Sequence, residues 1–241
     1  MKATEFEFRY RALLIALIYF VGFWLYAFDH VSVIYVLARW IEGAHAEERV
    51  LAAKLLAGFA ALLIGFGALV RTWGAAYLQS SVVHDAKLHS MELVADGPYR
   101  HVRHPLYFAS IVANIGVALM ASRSGFLFIV IVMTPLYLRL AGREDKELEE
   151  SQGERYREFA RRVPRLWPSI RTRVAATGAK PRWGQAFFGE VFMWLFTGAV
   201  AVYAITLNLK LLWWVIGAAV VFLFAETLVH NRRRRKAAAA A

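Results

Sequence analysis

The sequence predicts an all-α, polytopic membrane protein of about six transmembrane helices, two of them forming a short helical hairpin. Three observations lead there. Hydrophobic residues fill 59% of the 241 positions and mean hydropathy is +0.43, above the range of a soluble domain. Apolar runs fall at 12–28, 51–70, 106–120, 125–140, 187–207 and 211–229, most near the ~20 residues that cross ~30 Å of hydrocarbon. With the N-terminus inside, 24 of the 29 Lys and Arg fall on the cytoplasmic side.

The first run is long for a signal core and no small-residue cleavage site follows it, so it is expected to stay as a span. In the second run Ala57, Ala61 and Gly65 recur every four residues, a small-residue stripe for close helix contact. The third and fourth runs are separated only by 121–124 and read as a tight hairpin. Trp183 before the fifth run and Trp213 and Trp214 in the sixth suit an interfacial aromatic belt. Glu226 sits about one turn from the cytoplasmic end of the sixth run, near 232–236, where the cations neutralise it. The organisation is therefore 1–70, two N-terminal helices; 71–170, a core with the hairpin and the polar motifs; 171–236, two further helices with a basic tail; and 237–241, a low-complexity alanine tail.

The formal charge of +11 is topologically sorted against anionic headgroups, so it implies membrane lipid and no nucleic acid. No cysteine is present, which excludes disulfides, thiolate metal sites and a cysteine nucleophile. His84, His89, His101 and His104 crowd one segment, but no two lie four apart on a helix face and no carboxylate cluster joins them, so no metal site is expected.

The chemistry is concentrated in two segments that bracket the hairpin. In 97–107, GPYRHVRHPLY, Gly97-Pro98 is a turn and Pro105 suits the first position of a helix. The free N–H groups of that helix start, with Arg103 and His104, would bind a carboxylate or phosphate. The second segment, 143–168, reads as a charged amphipathic helix, a Gly153 break, a second helix carrying Tyr156 and Phe159, and a Val163-Pro164 stop.

Gly97-Pro98-Tyr99, Arg103-His104-Pro105-Leu106-Tyr107, and Glu144-Asp145 with Leu148, Gly153, Tyr156, Val163-Pro164 and Pro168 resemble the integral membrane methyltransferases that include isoprenylcysteine carboxyl methyltransferases and phospholipid N-methyltransferases. The resemblance covers roughly 71–169. It implies S-adenosyl-L-methionine bound in cytoplasmic segments at the ends of the third and fourth spans, and a lipid or lipophilic methyl acceptor arriving sideways from the bilayer. It also implies cofactor contacts from Met91, Glu92, Leu93, Val94, Tyr99, His104, Pro105, Leu106 and Tyr107, with His84 as a polar contact. Glu144 faces the acceptor in this reading, with Arg139 or Arg143 as the neighbouring arginine. Here the second acid is Asp145 rather than Glu, Gln152 replaces a Phe, and Phe108-Ala109 replaces a small-residue pair.

The residues agree with that assignment. S-adenosyl-L-methionine carries a carboxylate, an ammonium and a sulfonium, so its site needs cations, acids and aromatic surface together. Arg103, His104 and the helix start suit the carboxylate, Glu144 or Asp145 the ammonium or an incoming amine, and Tyr99 or Tyr107 the apolar and cationic parts. An amine acceptor must lose a proton, for which Glu144 is placed. No glycine-rich dinucleotide fingerprint follows a strand, so a Rossmann-type methyltransferase is excluded. Sterol reductases using NADPH resemble RHPNYxG followed by an acid, whereas this chain has Leu106 and Ser110 at those places. A non-enzymatic scaffold or transporter is the third class, and the inverted repeats and mid-membrane polar residues expected of a transporter are not evident.

Overall fold

A computed structural model describes residues 2–42, 46–78, 94–218 and 221. Among these the chain is helical, with no strand and a single isolated bridge between Ser32 and Ser122. The helices are α1 (Glu5–Arg9), α2 (Arg11–Trp24), α3 (Val33–Glu42), α4 (Ala46–Tyr77), α5 (Pro105–Leu119), α6 (Arg123–Gln152), α7 (Glu154–Arg162), α8 (Trp183–Gly189), α9 (Val191–Thr206) and α10 (Leu209–Ala218). By length and composition α4 and α6 are each able to cross a membrane, and α8–α9 make a third if the bent pair counts as one span. The helices α2, α5 and α10 are apolar but shorter.

The longest helix, α4, is the axis of the bundle, and its two sides are chemically opposite. Leu51, Leu55, Phe59, Leu62, Phe66 and Leu69 stand exposed at spacings of three and four, whereas Ala53, Ala57, Ala60, Ile64 and Ala68 are fully buried. Large apolar groups outside and small ones inside suit a helix whose surroundings are as apolar as its partners, where close backbone approach drives association. The stripe expected from Ala57, Ala61 and Gly65 packs on α9: Ala57 and Ala61 share a cluster with Ala199, Val200 and Tyr203, and a Cβ on Gly65 would lie 3.1 Å from Thr197. Toward α5, a Cβ on Gly116 would lie 2.6 Å from the Ala60 carbonyl, and one on Gly67 2.6 Å from Ala113.

The expected hairpin forms, but only its first arm is short, since the second is a helix of 30 residues. Helix α5 ends at Leu119, Ser122 caps α6 by accepting from the Gly125 N–H at 3.2 Å, and α5 packs along α6. The N-terminus is tied to the same helix: Thr4 and Glu7 form a reciprocal capping box, and Glu7 also takes the Arg139 guanidinium at 2.7 Å. At its far end α6 continues past the apolar stretch until Gly153, whose φ of +58° ends it and starts α7. Tyr156, Phe159 and Val163 then fold back to bury against Ala95.

Two elements depart from expectation. The amphipathic α3, with Ile34 and Ala38 buried on α4, was not read as an element. The fifth run is not one straight span, since α8 and α9 meet at Glu190 with a 60° bend. Glu226, the cations at 232–236 and the alanine tail lie outside the described residues.

The Gly116 contact gives a direct stability expectation. Gly116→Ala drives a methyl into backbone and should cost about 1–3 kcal/mol, read as a lower thermal midpoint in detergent. An unchanged midpoint would show that α4 and α5 separate without cost.

Candidate active site

The turn before α5 is built for close approach. Gly97 holds φ +54°, and a Cβ there would sit 2.3 Å from the Tyr77 ring, so glycine is required by both conformation and space. Pro98 and Tyr99 are buried behind it. Pro105 occupies the first helical position, with His104 as the N-cap residue. The preceding Asp96 is buried and accepts from the N–H groups of Thr177, Gly178 and Ala179 at 2.9–3.2 Å, and from the Thr177 hydroxyl. Burial opposes its charge, but these donors outweigh the penalty and hold its carboxyl below the ordinary value. This carboxylate straps the chain beyond α7 across the turn.

From α5 and α6 two adjacent acids divide the polar groups. Glu144 accepts from the Tyr107 hydroxyl at 2.6 Å and faces His104 Nδ1 at 3.6 Å. Asp145 accepts from His104 Nε2 at 2.7 Å, from Arg103 at 2.9 Å and from the Tyr156 hydroxyl, and pairs with Arg165 at 2.7 Å. Burial works against a charged His104, but its bonds to Asp145 and then Glu144 win and raise its pKa above the ordinary value. Burial next to Glu144 pushes the Tyr99 phenol well up, and its hydroxyl is buried with no hydrogen-bond partner among the described residues.

These groups close one end of a cavity of about 1400 Å³ that runs beside the whole of α5, from Tyr107 through Ser110, Ala113 and Val117 to Met120. At 1.5 Å per residue that is roughly 22 Å. A second polar layer lies deeper in it. Arg71 donates to both oxygens of Glu190 at 2.7 and 2.8 Å and to Ser110 at 2.9 Å.

The structure therefore sorts the expected site residues. Val94, Tyr99, Arg103, His104, Pro105, Leu106, Tyr107 and Glu144 line the cavity, and Asp145 stands directly behind His104. His84, Met91, Glu92 and Leu93 lie outside the described residues. Three expectations are corrected. Arg139 pairs with Glu7. Arg143 pairs with Glu147 at 2.6 Å and lies over the Phe8 ring. Neither guanidinium lines the cavity; Arg11 and Arg71 do. The anion clamp at the helix start is also met internally, because the Arg103 and His104 N–H groups donate to Pro164 and Arg165 carbonyls and the Arg103 side chain to Asp145 and the Val163 carbonyl. Arg71 and Glu190 were missed; the available signal was an acid within the fifth apolar run and an arginine directly after the second.

The His104 cluster sets a pH dependence. A histidine with a raised folded pKa contributes stability that is complete below its unfolded value near ~6.5 and is lost as pH rises through the folded pKa. Thermal midpoints of the wild type should fall over that alkaline window, and Asp145→Asn should flatten the dependence. A midpoint that rises across the same window would mean that His104 is held neutral.

No curated protein and no solved structure matches the chain. One family model does: residues 54–155 match the phospholipid methyltransferase family, so most of α4, all of α5 and α6 and the start of α7, with the Tyr107–Glu144 and His104–Asp145 pairs, are the part of the chain that is similar to that family of membrane methyltransferases.

Proposed function

We propose that this protein is an S-adenosyl-L-methionine-dependent methyltransferase of the membrane, acting on a lipid or other lipophilic acceptor. The observation that carries this reading is the polar cluster of Tyr107–Glu144 and His104–Asp145 closing one end of an apolar cavity as long as α5. A polar donor reaching the capped end and a lipophile lying along the cavity would meet there. The six apolar segments are placed in the bilayer in this reading, with both termini and the polar cluster cytoplasmic.

The residues fit the cofactor. Tyr99 offers a buried hydroxyl lacking a protein partner, and His104, Tyr107 and Glu144 supply a cation, an aromatic face and an acid beside it. Val94, Pro105 and Leu106 complete the apolar contact, and His84, Met91, Glu92 and Leu93 are assigned to the cofactor from the resemblance alone. Arg103 and Asp145 hold the wall in this reading and do not touch the ligand.

When bound, S-adenosyl-L-methionine supplies an electrophilic methyl whose C–S bond breaks as the acceptor–carbon bond forms, leaving S-adenosylhomocysteine. The chain's share is alignment in a water-poor space. His104, fixed by Asp145, and Tyr107, fixed by Glu144, leave few rotamers open at the point of transfer. Where the acceptor is an amine, Glu144 takes the proton it loses. A carboxylate or thiolate acceptor has none to lose.

Calorimetric titration with S-adenosylhomocysteine, and separately with NADPH, tests the class: binding of the former alone is expected, and binding of NADPH alone would replace this reading by the reductase. Glu144→Gln should lower kcat by roughly 10²–10⁴-fold for an amine acceptor. Full turnover in that variant would remove Glu144 from the acceptor side.

A further inference from the structure

The geometry points to the Arg71–Glu190 pair as a subsite for the polar head of the methyl acceptor, one that selects a neutral or cationic head over a free anion; this rests on the proposed methyltransferase reading. Glu190 comes from the junction of α8 and α9, beyond the residues that match the family, so the subsite is a contribution of the C-terminal helices.

The pair is poorly explained as a structural tie. A buried ion pair is weak support for stability, since two packed apolar side chains hold helices together as well or better. Charged groups inside apolar helices mark functional positions by default. Both side chains line the cavity, with Glu190 3% exposed and Arg71 22% exposed. Ser110 extends the layer into the same space: it lines the cavity and its hydroxyl takes an Arg71 N–H at 2.9 Å.

The charges decide what head fits. Glu190 meets the Arg71 charge through two hydrogen bonds, and Glu144 lines the same cavity. Arg103 and His104 are met by Asp145, and Arg11 lies at the start of α2, over the Phe8 ring. A carboxylate or phosphate at the Arg71 layer would face two carboxylates beside a cation already neutralised. A hydroxyl or amine instead donates to Glu190 and, where it has a lone pair, accepts from Arg71.

The test uses full-length protein in phosphatidylcholine nanodiscs and three probes of one chain length: 1-hexadecylamine, 1-hexadecanol and hexadecanoate. Binding is read as a shift in thermal midpoint without cofactor, and S-adenosylhomocysteine affinity is measured separately. The wild type should bind the amine or the alcohol roughly tenfold tighter than hexadecanoate, the size of one hydrogen bond to a charged group. Glu190→Gln and the apolar double variant Arg71→Met/Glu190→Leu should abolish that preference with S-adenosylhomocysteine affinity unchanged. The double variant keeps the helices packed, so a loss seen in both is not a folding defect. The assignment is overturned if hexadecanoate binds best, if no probe binds, if either folded variant keeps the preference, or if Glu190→Gln weakens S-adenosylhomocysteine equally. Failure of the wild type to bind S-adenosylhomocysteine would instead remove the methyltransferase reading, with the head-group preference still measured on its own.

Discussion

One carboxylate, Asp145, organises the polar end of the molecule. It gathers the imidazole of His104 from the start of α5, the guanidinium of Arg103, the hydroxyl of Tyr156 from α7 and the guanidinium of Arg165 from the chain beyond. Four groups from three segments therefore share one acceptor. Because the groups are largely buried, removing any one leaves another with its desolvation unmet, and the cluster holds together more tightly than its separate bonds suggest. The consequence reaches Glu144 through His104: with Nε2 committed to Asp145, Nδ1 is left facing Glu144, whose other oxygen receives Tyr107. The acid that faces the cavity is oriented by the acid that does not.

This arrangement needs rigid supports, and small residues supply them. Glycine and alanine at the α4–α5 contact bring the two backbones close enough that α5 has no freedom to slide. Helix α6, of 30 residues, spans roughly 45 Å, well beyond the ~30 Å of hydrocarbon. Its last turns can therefore carry acids and cations outside the apolar zone while its body packs within it. A long helix beside a short one creates the step at which polar groups meet the end of an apolar cavity.

What was legible in the sequence follows the range of the forces involved. Gly97, Pro105, Gly153 and Val163-Pro164 act on their own backbone, and each appears where local chemistry put it. The alternation of bulk along α4 is equally local, and its small-residue stripe was readable. Arg103 was not: its type suggested an anion clamp, but Asp145, forty-two residues on, takes its charge. Arg139 and Arg143 sat at the right helical distance from Glu144, yet the fold of the N-terminus delivers Glu7 to the first and Phe8 to the second. Arg71 and Glu190 are 119 residues apart. Nothing in either neighbourhood announces the other, and an acid within an apolar run reads as a defect in a span until its partner is seen.

In the proposed reading the two polar layers also bear on the geometry of transfer. Tyr107 belongs to the layer of Glu144 and His104, and Ser110, three residues on, to the layer of Arg71. One helical turn separates them, roughly 4.5 Å along the axis. A near-attack pair requires reacting atoms about 3–3.5 Å apart, and the donor's own bond adds to that length. In that reading a polar donor held by the first layer from the capped side, and a head held by the second with its chain in the cavity, meet between the two layers. The rise of α5 spaces Tyr107 from Ser110, while α6, α4 and the α8–α9 junction supply the charged groups of the two layers.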